Sequence, residues 1–230
     1  MEYQLDITTK IKHATIYHKK NDKRLRELIP AIKKAEKINQ SYWDIKCPKY
    51  KIIIVYSEDE FDEFCKFKKG EPRKRIGMAM SNKTFIIYFK GFNEVTYSLE
   101  SFISHELNHL FYTKLVGNGE PFWFFEGIAT CIMKDYYFKV KEWKEYFRNM
   151  KDPKKFLYYN FNPGQYYKDP ASFAILNTLI LRYLHKNFGK GRILELLKEF
   201  SKNKNKKRFD ALFEKTFNLT INEVISKSIE

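Results

Sequence analysis

The sequence predicts an α+β fold, a small mixed sheet in an N-terminal lobe followed by a helical C-terminal lobe, on three observations. Lys51-Ile52-Ile53-Ile54-Val55-Tyr56 is an unbroken β-branched run, the pattern of a central strand covered on both faces. Shorter stretches with partial alternation surround it, Tyr3 to Thr8, Ile11 to Tyr17, Arg75 to Met80 and Thr84 to Phe89. From Ser98 onward the apolar residues recur mainly at helical spacing. A chain of 230 residues suffices for one domain or for two closely packed lobes, read here as 1–117 and 118–230.

Each element has a local justification. Thr9-Lys10 separates the first two strands. Asp22 to Gln40 carries leucine, isoleucine and alanine at helical intervals, with Pro30 imposing a kink or a late start. Ser57 and Glu60 form a capping box that opens a short helix from Asp59 to Phe67, ended by Lys68-Lys69-Gly70-Glu71-Pro72. Ser81-Asn82-Lys83 turns a hairpin between the next two strands. A helix follows from about Ser98 to Val116, with Leu99, Phe102, Ile103, Leu110 and Phe111 as its apolar stripe. Gly117-Asn118-Gly119 breaks it, and Pro121 opens a second helix that runs to about Tyr137, with another at Lys141 to Met150. Asp152 to Lys168, rich in Tyr, Asn, Pro and Gly, is a loop. Asp169-Pro170 caps a long helix, Ile193 to Phe200 continues it, and Lys202 to Arg208 is a basic, solvated linker. Phe209 to Phe217 and a helix opened by a second capping box, Thr220 to Glu223, finish the chain.

The chemistry concentrates in Ser104-His105-Glu106-Leu107-Asn108-His109-Leu110. Histidines four apart on a helix project from one face, so both imidazoles can bind one ion. Glu106 lies about 100° around the helix from His105, a poor third ligand but one able to face a water on the metal. That is the HExxH arrangement, in which zinc polarises water and a carbonyl while the glutamate takes the proton. In the next helix Glu126 shares a face with Phe122, Ala129 and Met133, so a carboxylate points where core is expected. A bound dication compensates such a carboxylate. Gly127 costs about 1 kcal/mol in a helix relative to alanine, which implies that another backbone passes close by. The break at Gly117 to Gly119 permits a hairpin that returns Glu126 to both histidines, leaving a fourth zinc position for water. Thr130, four residues past Glu126, is placed to support a ligand, and Asn108 reads as a surface polar residue.

His105-Glu106-Leu107-Asn108-His109 followed by Trp123-Phe124-Phe125-Glu126-Gly127-Ile128-Ala129 resembles the gluzincin metallopeptidases, particularly the small peptidase MA-like domains with a W-x-x-E-G-x-A second helix. The resemblance implies a zincin-like fold, zinc ligands His105, His109 and Glu126, one Zn2+ per chain, and Glu106 as general base in peptide hydrolysis. In many related enzymes an acidic residue stands where this chain has Thr130. The family's substrate strand corresponds to Ile76 to Met80, where Gly77, Met78 and Ala79 are the expected peptide-pairing residues; small residues for packing explain them equally well. Tyr166-Tyr167-Lys168-Asp169-Pro170 resembles the region holding an oxyanion-stabilising tyrosine, so Tyr166 or Tyr167 is implied in catalysis. Tyr183 to Gly189 is similar to the family's helix end, and the resemblance extends diffusely over residues 20 to 229.

Composition narrows the alternatives. At 43% hydrophobic and 17% aromatic residues the chain is globular. Its net charge of +15 would attract acidic partners such as nucleic acid, but the lysines are spread along the chain, as on a solubilising surface, so nucleic acid is the lesser expectation beside the peptide or protein substrate that the resemblance implies. Cys47, Cys65 and Cys131 share no short spacing and read as reduced thiols, neither a disulfide framework nor a second zinc site. His13 and His18 read as ordinary surface histidines, and His185 as a surface group complementing a helix dipole. The amino terminus lacks the apolar core of a signal peptide, and Ala171 to Leu184 is too short and too polar to span a bilayer, so the expectation is a cytoplasmic enzyme. Two other readings remain: a zinc-binding scaffold that recognises a partner without cutting it, and a protease acting near nucleic acid.

Overall fold

Pairing of β-branched segments organises the first half of the chain. A computed structural model describes residues 7–66, 77–80, 83–94, 97–133, 139–166 and 168–230. Five strands, β1 (Ile7–Lys10), β2 (Ala14–His18), β3 (Tyr50–Val55), β4 (Gly77–Met80) and β5 (Thr84–Tyr88), form one mixed sheet in the order β1-β2-β3-β5-β4. The outer pairs are antiparallel and the inner β2/β3 and β3/β5 pairs parallel, with Ile16 opposite Ile52 and Ile52 opposite Phe85. Tyr50, Ile52 and Ile54 of β3 are buried on one face. On the other face Val55, Ile86 and Tyr88 pack with Phe61 and Cys65, whereas Lys51 at the start of the strand is exposed. Both faces of β3 thus carry buried residues, as its apolar run predicts, with Lys51 the exposed exception.

That helix is α2 (Glu58–Cys65). Ser57 Oγ accepts from Glu60 N at 3.1 Å, whereas the Glu60 carboxylate takes Tyr56 N at 2.6 Å, one residue earlier than a regular capping box. Before β3 runs α1 (Leu25–Trp43), which starts late and carries Pro30 inside it. Its stripe of Leu28, Ile32, Ala35 and Asn39 is buried, and Tyr50 OH donates to Glu36 Oε1 at 2.9 Å. Of the hairpin turn between β4 and β5, Ser81 and Asn82 lie outside the described residues, as do Arg75 and Ile76.

The chain divides into two compact units, Met1–Leu110 and Phe111–Glu230. The boundary falls inside α3 (Leu99–Val116), an uninterrupted helix whose first turn is capped by Ser98 Oγ accepting from Ser101 N at 3.2 Å. After α3 the chain is helical: α4 (Phe122–Ile132), α5 (Val140–Arg148), the single turn α6 (Pro163–Tyr166), α7 (Pro170–Ser201), α8 (Lys206–Phe217) and α9 (Ile221–Ile229). The fold is therefore α+β, with the sheet N-terminal and the second unit helical. α4 ends at Ile132, short of the expected Tyr137; residues 134–138 lie outside the described residues. α7 is two helical stretches joined at Gly189, whose φ of 76° favours glycine. Asp169 accepts from Ser172 N at its start, and Thr220 and Glu223 form the expected capping box on α9. Trp123, Phe124, Phe200, Phe209 and Phe213 are buried in the core of the helical unit. Among the described residues no helix is long and apolar enough to cross a membrane.

Candidate metal centre

Helix α3 sets the two imidazoles. The His105 and His109 ring centroids are 4.7 Å apart with their planes at 88°, one turn above the other. His109 and Glu106 are buried and His105 is partly exposed. Within α1, Asn39 grips this helix beside the motif: its Nδ2 donates to the Ser104 carbonyl at 2.9 Å and to the Ala35 carbonyl at 3.1 Å. Asn108 Nδ2 donates to Asn39 Oδ1 at 3.4 Å, and both asparagines are 0% exposed. Asn108 is thus not a surface residue; it belongs to a polar seam between α1 and α3, where a paired amide is tolerated because its partner is buried with it. Sequence reasoning missed Asn39, although a polar residue at the fourth position of the Leu28-Ile32-Ala35 stripe is a readable signal.

The carboxylate comes from α4, whose start is fixed from two sides. Phe122 N and Trp123 N donate to the carbonyls of Tyr159 and Tyr158 at 2.7 and 3.0 Å, satisfying the open end of the helix. Tyr112 OH, kept protonated by burial that raises its pKa well above the ordinary value, donates to the Glu120 carbonyl at 2.8 Å. At Gly127 helix α7 passes close: a Cβ there would lie 2.8 Å from Leu181 Cδ2 and 3.2 Å from the Asn177 carbonyl oxygen. Thr130 Oγ1 donates to the backbone carbonyl of Glu126 at 2.9 Å, so it holds Glu126 through the main chain.

One donor atom from each of His105, His109 and Glu126 lies within 4.8 Å of the others. Zinc bound at about 2.0–2.1 Å places tetrahedral donors about 3.3–3.4 Å apart, a difference that side-chain torsions can close. Two imidazoles and a carboxylate are a zinc donor set, and three protein ligands leave one coordination position available. The residues fit the ion.

The other expected site residues are placed as follows. Gly77, Met78 and Ala79 lie in β4, paired antiparallel with β5 and at the edge of the sheet among the described residues. Tyr166 ends α6, its ring set edge-on to Phe122 (5.8 Å) and Phe173 (5.3 Å). Phe122 is one turn before Glu126 on the same face of α4. Tyr167 lies outside the described residues.

Three histidine expectations are corrected. His18 is buried because β2 points Ala14, Ile16 and His18 to one face; its Nδ1 donates to the Lys19 carbonyl at 2.8 Å and its Nε2 accepts from Thr9 Oγ1 at 2.9 Å. His13 donates to a buried carboxylate on α1, Glu36, at 3.0 Å. His185 is half-buried; burial and then nearby Lys190 lower its pKa, so the charged form that would complement a helix dipole is disfavoured. No family model and no curated protein matches the sequence.

Proposed function

We propose that the protein is a zinc-dependent metallopeptidase. The observation carrying this reading is the convergence of His105, His109 and Glu126 donor atoms within 4.8 Å, with Glu106 next to the first ligand in the chain. When bound, zinc supplies Lewis acidity toward a water and a peptide carbonyl. Glu106 accepts the proton of the attacking water and delivers it to the departing amine nitrogen. Its burial keeps that carboxylate out of bulk solvent, where proton transfer would compete with water. Tyr166 or Tyr167 donates a hydrogen bond to the developing oxyanion. The position of β4 at the edge of the sheet of described strands suits an extended peptide, which would add as a further strand along Gly77, Met78 and Ala79.

The test is incubation of the zinc-loaded chain with a peptide library, read by mass spectrometry with and without a chelator. Cleavage that a chelator abolishes and that zinc restores supports the reading. Metal binding at His105, His109 and Glu126 with no cleavage of any peptide would instead leave a zinc-binding scaffold.

A further inference from the structure

A second group of metal-capable side chains lies wholly in the N-terminal unit, built from three separate elements. His13 stands in the connection before β2, Glu36 in the second half of α1, and Cys47 in the segment between α1 and β3. One donor atom from each lies within 4.8 Å of the others. Glu36 and Cys47 are each 7% exposed, and the His13 side chain 15%. We propose that His13, Glu36 and Cys47 form a second divalent-cation site, suited to zinc, that clamps the β1–β2 connection, α1 and the approach to β3.

The charge balance of the cluster carries the proposal. Glu36 is a buried carboxylate whose only ion-pair partner among the described residues is His13, with the neutral Tyr50 hydroxyl on its other oxygen. Asp22, in the same unit, shows the alternative solution: Arg24 binds both its oxygens at 2.7 Å and Tyr56 OH donates at 2.7 Å, a group closed by a permanent cation. Arg24 cannot be given up by such a site, whereas His13 can lose its proton and turn a nitrogen to a metal. A dication with one thiolate, one carboxylate and one neutral imidazole sums to zero, which suits burial. Mixed sulfur, nitrogen and oxygen donors match zinc's borderline character. Tyr50 OH, 2.9 Å from Glu36 Oε1, would orient the carboxylate from behind, leaving Oε2 for the ion. Binding sends the Cys47 thiol proton to solvent and requires His13 Nδ1, now hydrogen-bonded to Glu36 Oε2, to present its lone pair to the metal. The proposal departs from the sequence expectation that the cysteines form no second zinc site. Ligands 23 and 11 residues apart (13 to 36, 36 to 47) carry no local spacing signal.

Cobalt titration of the full-length, reduced, metal-free chain tests this independently of any peptidase activity. Among the two groups only this one holds sulfur, so a thiolate-to-cobalt charge-transfer band reports it alone. The proposal predicts the band by the time two equivalents of Co2+ are added, one for each group, and its loss in Cys47→Ser, with His13→Gln weakening Co2+ binding at this site more than about tenfold. Alkylation mapped by mass spectrometry needs no variant: Zn2+ should slow modification of Cys47 relative to Cys131. Absence of the band, its persistence in Cys47→Ser, or Cys47 alkylation unaffected by Zn2+ would each overturn the proposal.

Discussion

His105 and His109 meet because a helix repeats every 3.6 residues, and Glu126 joins them from the next helix along the chain. His13, Glu36 and Cys47 meet only after a strand connection, a helix and a loop have docked. In the first group the repeat of one helix sets the two imidazoles, while Asn39 of α1 grips that helix at the Ser104 carbonyl and Tyr112 holds the Glu120 carbonyl ahead of α4. The second is held by tertiary structure, so ion binding there is coupled to the stability of the N-terminal unit. The proposed catalytic role needs a ligand set that substrate can reach, and His105 is partly exposed; the dispersed group is mostly buried, which suits the structural role proposed for it.

This contrast can be broken or sharpened experimentally. The largest effect is expected from Glu106→Gln, which should lower peptide turnover by at least about 10²-fold while zinc content is retained, since the proposed function makes Glu106 a base and not a ligand. Steady-state kinetics with zinc analysis checks both halves, and undiminished turnover removes the base assignment. Glu126→Ala should weaken zinc at the helical group by more than about tenfold while leaving the cobalt–thiolate band intact. If that band disappears as well, the two groups are not independent.

Gly127→Ala probes the packing that positions Glu126. Overpacking against Leu181 and the Asn177 carbonyl costs about 1–3 kcal/mol, opposed by about 1 kcal/mol of helix propensity, so a net destabilisation of up to about 2 kcal/mol should appear in denaturant unfolding. Thr220→Ala, which removes the α9 cap far along the chain from both groups, should cost about 1 kcal/mol and leave both metal signals unchanged. The smallest effect concerns His185, the histidine outside both groups and outside the β1–β2 pair. Its folded pKa lies below the ordinary 6.5, so its contribution to stability is complete above that value and declines as pH falls through the lower, folded one. His185→Gln should flatten that part of the stability profile, measured by thermal unfolding at a series of pH values; an unchanged profile removes the assignment.

The same contrast explains what could be read in advance. Period-2 and period-3.6 patterns found β3, β5, α3 and α9 to within a residue or two, and the α+β class followed from them. The helical metal group was legible because its histidines obey a helix repeat and Gly127 and Glu126 broke the apolar pattern beside them. His18 was misread because alternation along β2, not the identity of a polar residue, decided its burial. Asn39 and Asn108 were missed because a buried amide is tolerable only with a partner, and the partner lies 69 residues away. Glu36 and Cys47 were missed for the same reason: their environment is made by tertiary docking.

The account rests on His105, His109 and Glu126 holding one ion. A crystal structure of the zinc-soaked protein with anomalous scattering at the zinc edge tests this directly. The prediction is a peak about 2.0–2.2 Å from an imidazole nitrogen of each histidine and from a carboxylate oxygen of Glu126. A fully zinc-exposed crystal with no peak among those three side chains would contradict it.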